Sequence, residues 1–472
     1  MDEHALPTTL DAWLARLEAA HPVGIDLGLE RVAAVAGRLG LTAEPIAEAV
    51  ITVAGTNGKG STVAMLEALG RAHGMTTAAY TSPHLVRYNE RLRLDGREAS
   101  DAVLMEGFAR VEQARLSPTP VSLTYFEVGT LAALWTIAQA KPQLAVLEVG
   151  LGGRLDAVNV VDPDVAVVTT VAQDHAAFLG NDITVIGREK AGIMRSGKPA
   201  VLGSTALPDS VAGHAARIGA TVFALGQAFQ HASYLSAPQS PSGSVTQQDS
   251  DASWSWQGTA LDGATVRVGG LPDPGLPRDN AASALQALWL ARGSLEASAC
   301  RTAFAQVSLP GRMQWQGRWC LDVGHNPHAA AYLATRLHSR RHALEGDEPS
   351  GRLWCLIGML EDKDADGVLA ELAPVVDGWV PVTLEGARGR PSQDLAARIE
   401  QLGGVVMHQA DTPDAGADWL ESRFGEADDV LVTGSFFTVA AILARWERQR
   451  ECQGERQSDR QTGTGNACEG AT

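Results

Sequence analysis

None of the chain's apolar runs is long enough for a membrane-spanning helix, and its N-terminus, Met1-Asp2-Glu3-His4, has no basic stretch leading into an apolar one. Neither an anchor nor an export signal is expected. Basic charge is also scarce: 38 Lys and Arg against 55 Asp and Glu leave a net charge of −17. Nonspecific binding to nucleic acid or to an anionic membrane needs the opposite balance, so neither is expected as a partner. An anionic substrate would need local Arg, Lys or metal charge. The five cysteines (Cys300, Cys320, Cys355, Cys452 and Cys468) are odd in number and lack C-x-x-C spacing. That argues against a disulfide frame or a zinc site and for reduced thiols in the cytoplasm. Hydrophobic residues at 45% and charged ones at 20% describe a globular protein, and 472 residues are enough for two or three domains.

The most informative stretch is Val50-Ile51-Thr52-Val53-Ala54-Gly55-Thr56-Asn57-Gly58-Lys59-Gly60-Ser61-Thr62. A β-branched run meets a glycine loop with one lysine, and a helical pattern follows. Glycines let backbone N–H groups turn to an anion, the lysine adds charge, and the helix N-terminus adds its dipole. The standard loop, G-x-x-x-x-G-K-[ST], would place its first glycine at Val53 and a hydroxyl where Gly60 stands. This is a variant phosphate loop, and it predicts binding of a nucleoside triphosphate.

Strands are predicted over 50–54, 76–80, 144–149, 165–171 and 200–203, with helices 62–73, 101–114, 126–140 and 183–194 between them. Continuous Val/Ile/Leu runs imply a parallel sheet covered on both faces, with ligands at the carboxyl ends of its strands. A β-like stretch ends near Gly270 and contains a polar loop, 236–252. A helix over 280–291 and then a second α/β run follow, with strands at 319–323, 353–357, 378–381, 405–409 and 430–434. The domain boundary is placed near residue 297, giving domains 1–297 and 298–448 and a disordered polar tail, 449–472.

Polar groups follow several strands. Glu148 precedes the loop Gly150-Leu151-Gly152-Gly153-Arg154-Leu155-Asp156, either as a metal-binding acid or as a solvated strand end. Asp174-His175 follows another apolar run, where His175 reads as a general base or a structural residue. By pattern Lys190, in Gly187-Arg188-Glu189-Lys190-Ala191-Gly192-Ile193, lies on a salt-bridged solvent face. Asp322-Val323-Gly324-His325-Asn326-Pro327 ends a strand in the second domain and also reads as a plain turn.

Taken in order, Gly55–Ser61, Thr81-Ser82-Pro83-His84-Leu85, Glu148–Asp156, Asp174-His175, Glu189–Ile193, Asp279-Asn280-Ala281-Ala282, Pro310-Gly311-Arg312 and Asp322–Pro327 resemble the Mur ligase superfamily. Ile25-Asp26-Leu27-Gly28-Leu29-Glu30-Arg31, Thr124-Tyr125-Phe126-Glu127 and Gly434-Ser435-Phe436 resemble its folylpolyglutamate synthase/dihydrofolate synthase branch. The resemblance runs to about residue 447. It implies an α/β fold: a P-loop ATPase domain of the Mur-ligase kind followed by a smaller Rossmann-like domain. It also implies an ATP-dependent amide ligase acting on dihydropteroate, reduced folates and L-glutamate, a monomer, with two magnesium ions and a monovalent cation as a further candidate. Alternatives are a monofunctional folylpolyglutamate synthase, a muramoyl-type peptide ligase and a P-loop switch protein.

By the same resemblance Gly55, Thr56, Asn57, Gly58, Lys59, Gly60 and Ser61 cradle phosphates, and Ser82, Glu148 and His175 hold magnesium. Lys190 matches a lysine that the family carbamylates. Asn280 is implied at adenine, Arg312 at phosphate, Asp322 at ribose, and His325 near phosphate or incoming glutamate. Leu27, Gly28, Thr124, Phe126 and Asp156 are implied around the pterin, and Ser435 at glutamate.

Overall fold

The computed structural model of the chain describes residues 6–20, 26–174, 176–233, 253–345, 351–386 and 388–462. It forms two compact units, Met1–Leu309 and Pro310–Thr472.

In the first unit the strands are β1 (Ala49–Ala54), β2 (Thr77–Tyr80), β3 (Leu92–Leu94), β4 (Arg97–Glu98), β5 (Leu144–Glu148), β6 (Val165–Val168), β7 (Pro199–Leu202) and β8 (Thr221–Ala224). They make one sheet in the order β4-β3-β2-β5-β1-β6-β7-β8. The pairs β2–β5, β5–β1, β1–β6, β6–β7 and β7–β8 are parallel, and only β2–β3 and β3–β4 are antiparallel. The pleat explains why the strands read as unbroken apolar runs. Ile51 and Val53 point into one core with helices Lys59–Ala72, Arg278–Arg292 and Ala297–Gln306. Val50, Ala145 and Leu147 point into another with helices Leu10–Ala19, Glu30–Arg38, Asp101–Leu116 and Tyr125–Ala140. Both faces are covered, so neither alternates with water.

Between β5 and β6 the chain crosses from one side of β1 to the other. This is the switch point at which open α/β sheets bind ligands. The register sets Val53 opposite Glu148, Tyr80 opposite Leu147 and Ala54 opposite Val168, so the loops after β1, β2, β5 and β6 leave the sheet side by side.

A second sheet in this unit, β9 (Phe229–Ser233), β10 (Trp254–Thr259) and β11 (Thr265–Leu271), is antiparallel in the order β11-β10-β9. Trp254 and Trp256 anchor it in the first core beside Trp289 and Phe304. Helix Ala297–Gln306 buries Cys300, Ala303 and Phe304 in that same core. It therefore belongs to the first unit, and the division falls after Leu309, one helix later than residue 297.

The second unit has β12 (Gln314–Gln316), β13 (Trp319–Leu321), β14 (Leu353–Ile357), β15 (Gly378–Pro381) and β16 (Asp429–Thr433), in the order β12-β13-β16-β14-β15. All pairs but β12–β13 are parallel. The strand expected over 405–409 does not form. Val406 and Ala410 make only isolated bridges along β15, because Gly403-Gly404 precede them and Val405 and Met407 turn outward to water. The tail expected to be disordered is helical as far as Thr462. Glu, Arg and Gln are strong helix formers and extend a helix already started at Phe436. The 236–252 loop and residues 463–472 lie outside the described residues, as do Ile25 and His175. Among the described residues no helix is long and apolar enough to cross a membrane.

Candidate active site

The phosphate loop is built by close approach. A Cβ at Gly55 would stand 1.9 Å from Thr169 Oγ1, and Gly58, at φ +84°, would put one 2.6 Å from Asn280 Nδ2. Gly55→Ala should therefore lower the melting temperature and the ATP turnover together, by thermal unfolding and phosphate-release assays. Unchanged values in both would show that Thr169 yields without consequence.

The loop is stitched to the chain after β6. Thr56 donates its N–H to Thr170 O at 2.8 Å, and Asn57 donates its own to Thr170 Oγ1 at 3.0 Å. Thr169 and Thr170 hydroxyls return bonds to Asn57 O at 2.7 and 3.1 Å. These bonds end β6 at Val168, short of the Val171 expected, since Thr169 and Thr170 are turned toward the loop. Gly58 is the N-cap of helix Lys59–Ala72, and no side chain caps it. The amides of that first turn are the groups a phosphate needs. Asn280 Nδ2 donates to Ser61 Oγ at 2.9 Å, fixing the helix start against helix Arg278–Arg292.

Two lysines meet here. Lys59 Nζ donates to Gly55 O at 3.0 Å and Thr56 O at 3.2 Å, and Lys190 Nζ donates to the same Gly55 O at 3.0 Å. Lys190 is only 4% exposed, which corrects the solvent-face reading. Gly153 makes this possible: a Cβ there would sit 2.6 Å from Glu189 O, so the lysine's helix closes onto the loop after β5. Burial, and then the neighbouring Lys59 charge, push the Lys190 amine down to about 7, against the pull of Asp174 and Asp156. Gly55, Lys59, Gly152, Asp174 and Lys190 line one cleft.

Glu148, at the end of β5, is 5% exposed, so it is no solvated strand end. Its carboxylate oxygens lie 3.7 Å from where a Gly60 Cβ would be, and one accepts the Ser82 N–H at 3.3 Å. Two of the three expected metal ligands, Ser82 and Glu148, thus stand together beside the phosphate loop. Among the described residues no cluster of three His, Cys, Asp or Glu side chains could hold a metal ion. A carboxylate and a hydroxyl are hard oxygen donors, which fits magnesium.

On the neighbouring wall, Thr124 caps helix Tyr125–Ala140 in a capping box with Glu127. Arg31 reaches Glu127 at 2.8 Å and Asp26 at 2.6 Å, tying the Leu27–Gly28 segment to that helix. The Phe126 ring lies against Gly150, where a Cβ would come within 2.5 Å of it. Asp156 accepts N–H bonds from Leu151 at 2.8 Å and Val158 at 3.0 Å. Burial raises its carboxyl to about 6, against those N–H groups and the Lys59 charge.

The second unit has a cluster of its own at the carboxyl ends of β13 and β16. Asp322 accepts N–H bonds from Met313 at 2.9 Å and Gly324 at 2.8 Å, and burial raises its carboxyl while Arg312 lowers it. Arg312 lies 5.1 Å from the Phe436 ring centre, and His325 lies 6.1 Å from it. Ser435 Oγ accepts the Phe437 N–H at 3.2 Å. Thr169 and Thr170 were not among the residues singled out, because nothing local marks a threonine that bonds a loop over a hundred positions away.

A model of the Mur ligase middle domain matches residues 53–234, and one of the Mur ligase glutamate ligase domain matches 311–436. The dihydrofolate synthase/folylpolyglutamate synthase of Escherichia coli K12 is 43% identical, over 92% of this chain and 94% of its own. That of Mycobacterium tuberculosis is 31% identical, over 90% and 91%. The structure of E. coli FolC in complex with DHPP and ADP superposes with a TM-score of 0.82 at 42% identity, over 94% of this chain and 99% of the other. A Yersinia pestis bifunctional folylpolyglutamate synthase/dihydrofolate synthase, complexed with AMPPNP and a manganese ion, gives 0.81 at 41%, over 93% and 98%. The order of motifs, the two-unit α/β architecture and these likenesses agree: the chain belongs to the dihydrofolate synthase/folylpolyglutamate synthase family of Mur ligases.

Proposed function

We propose that the chain spends ATP to join L-glutamate to the carboxyl of dihydropteroate and to the γ-carboxyl of reduced folates, through an acyl phosphate. The observation that carries this is the shared carboxyl edge of one sheet: the phosphate loop with Lys59, the Ser82–Glu148 pair, and the Gly150–Asp156 loop on which Phe126 packs lie at the ends of neighbouring strands. A carboxylate is a poor acyl donor because its oxygen leaves badly. Phosphorylation makes that oxygen a leaving group, and the glutamate amine displaces phosphate.

The amides at the start of helix Lys59–Ala72 and the Lys59 ammonium would bind the triphosphate, with Thr56 and Asn57 shaping the loop. Ser82 and Glu148, with His175 as the family's third ligand, would hold divalent metal, which supplies positive charge to the phosphates. Asn280 is assigned to the adenine. Phe126 offers a face to the flat pterin, and Asp156 retains a lone pair for its amino-pyrimidine after accepting the backbone bonds of Leu151, Val158 and Gly150. Leu27, Gly28 and Thr124 complete that wall. In the second unit we assign Arg312 and Asp322 to nucleotide contacts, and His325 and Ser435 to phosphate or glutamate. A monomer in the cytoplasm is our reading, supported by the buried free thiols of Cys300, Cys320 and Cys355.

The test is a substrate panel with MgATP and glutamate, following phosphate release. Dihydropteroate and tetrahydrofolate should both support turnover. Tetrahydrofolate alone would leave the monofunctional alternative, and neither would sink the proposal. The site also predicts a pH dependence. Asp156 accepts pterin hydrogen bonds best when ionised and takes up a proton near pH 6. The KM for dihydropteroate should therefore rise as pH falls from 7 through 6, and Asp156→Asn should raise it at pH 7. A KM that is flat between pH 5 and 7 would remove Asp156 from that role.

A further inference from the structure

One buried cation in this unit makes no ion pair among the described residues. Arg91 is 8% exposed, yet the groups its guanidinium touches there are a histidine and tyrosines. Its Nε donates to His84 Nδ1 at 2.9 Å, and the Tyr80 hydroxyl also bonds it. Its guanidinium carbon lies 5.0 Å from the Tyr88 ring centre and 5.5 Å from that of Tyr125. Other shielded arginines in the same unit behave differently: Arg93 pairs with Glu67 at 2.7 Å, and Arg115 with Glu112 at 2.5 Å. In a chain of net charge −17, carboxylates are not in short supply. Burying a cation without one is costly, and contact with tyrosine rings offsets only part of that cost.

Position suggests where the missing charge comes from. His84 follows Ser82 by two residues, and Tyr125 directly precedes Phe126. Tyr80 ends β2 just before Thr81-Ser82, and the Asp156 charge reaches it. Arg91 therefore joins the loop assigned to the phosphoryl side of the reaction to the helix start assigned to the ring side. The substrate that must stretch between those two sides is an acid.

We propose that Arg91 supplies the counter-charge for the carboxylate of the acid substrate. A guanidinium fork matches a carboxylate's two oxygens, and its charge eases the approach of that anion to a triphosphate. The proposal rests on dihydropteroate occupying the Phe126–Asp156 wall.

The test compares dissociation constants of dihydropteroate and its carboxamide analogue, which keeps the ring and loses the charge. Native enzyme should prefer the carboxylate by about tenfold or more, as expected of a charge-assisted contact. Arg91→Gln keeps an N–H for His84 Nδ1 and removes the charge. It should abolish the preference while binding the carboxamide as the native enzyme does, and Arg91→Lys should keep most of the preference. The proposal is overturned if native enzyme shows no preference, if Arg91→Gln retains it, or if that variant weakens both ligands equally. Should Arg91→Gln fail to fold, loss of the preference in a folded Arg91→Lys overturns it as well. Native enzyme that binds neither ligand refutes the reading of the wall instead.

Discussion

Lys59→Ala should reduce ATP turnover by about a thousandfold or more, the scale on which single charged groups stabilise phosphoryl transfer. The variant should fold normally, because Lys59 is not buried in the core and its ammonium bonds the carbonyls of Gly55 and Thr56 in its own loop. Those two bonds show how the residue works. A triphosphate competes with two neutral carbonyls for the ammonium, and a charged acceptor wins such a competition. Removal of Lys59 also relieves Lys190, whose amine is held down partly by the Lys59 charge. Titration of Lys190 in the variant should move up while turnover collapses. Turnover within tenfold of the native rate, with unfolding unchanged, would show that the helix N-terminus suffices for the phosphates.

Lys190 carries the second large effect. Two ammonium groups sharing the Gly55 carbonyl repel each other, and Lys190 is buried as well. With its amine down at about 7, a substantial fraction is neutral near neutral pH and more above it. A neutral amine can attack carbon dioxide: the N–C bond forms, one proton leaves, and a carbamate replaces the cation. The new carboxylate would face Lys59 as a partner in place of a rival. Activity in buffer freed of carbon dioxide should fall and return with bicarbonate, and the recovery should be larger at pH 8 than at pH 6. Lys190→Ala should lose turnover about a hundredfold or more, with partial rescue by a short free carboxylate. Indifference to bicarbonate, with no 13C carbamate signal under labelled carbon dioxide, would leave Lys190 an unmodified amine.

Much of the frame was legible in the residues. The apolar runs of β1, β5, β6 and β7 marked a doubly covered parallel sheet, and Gly55, Gly58 and Lys59 marked the phosphate loop. The motif order was enough to name the family. Boundaries were less legible. The division at residue 297 missed helix Ala297–Gln306, whose membership is decided by where Phe304 packs. The stretch 405–409 has β-branched residues, but it runs along the edge of a small sheet and makes only bridges.

The chain's own sequence determined its order of strands and helices, its variant loop and its lack of membrane-spanning or basic stretches, because these depend on local periodicity, conformational freedom and summed charge. Tertiary structure alone decided the state of the charges. Lys190 looks like a solvent residue until its helix meets a glycine loop and its amine reaches Gly55, 135 positions away. Arg91, which no sequence motif marks, is enclosed by three tyrosines and a histidine. Burial and partners set a charge's protonation and its need for a counter-ion, and both come from segments distant in the chain.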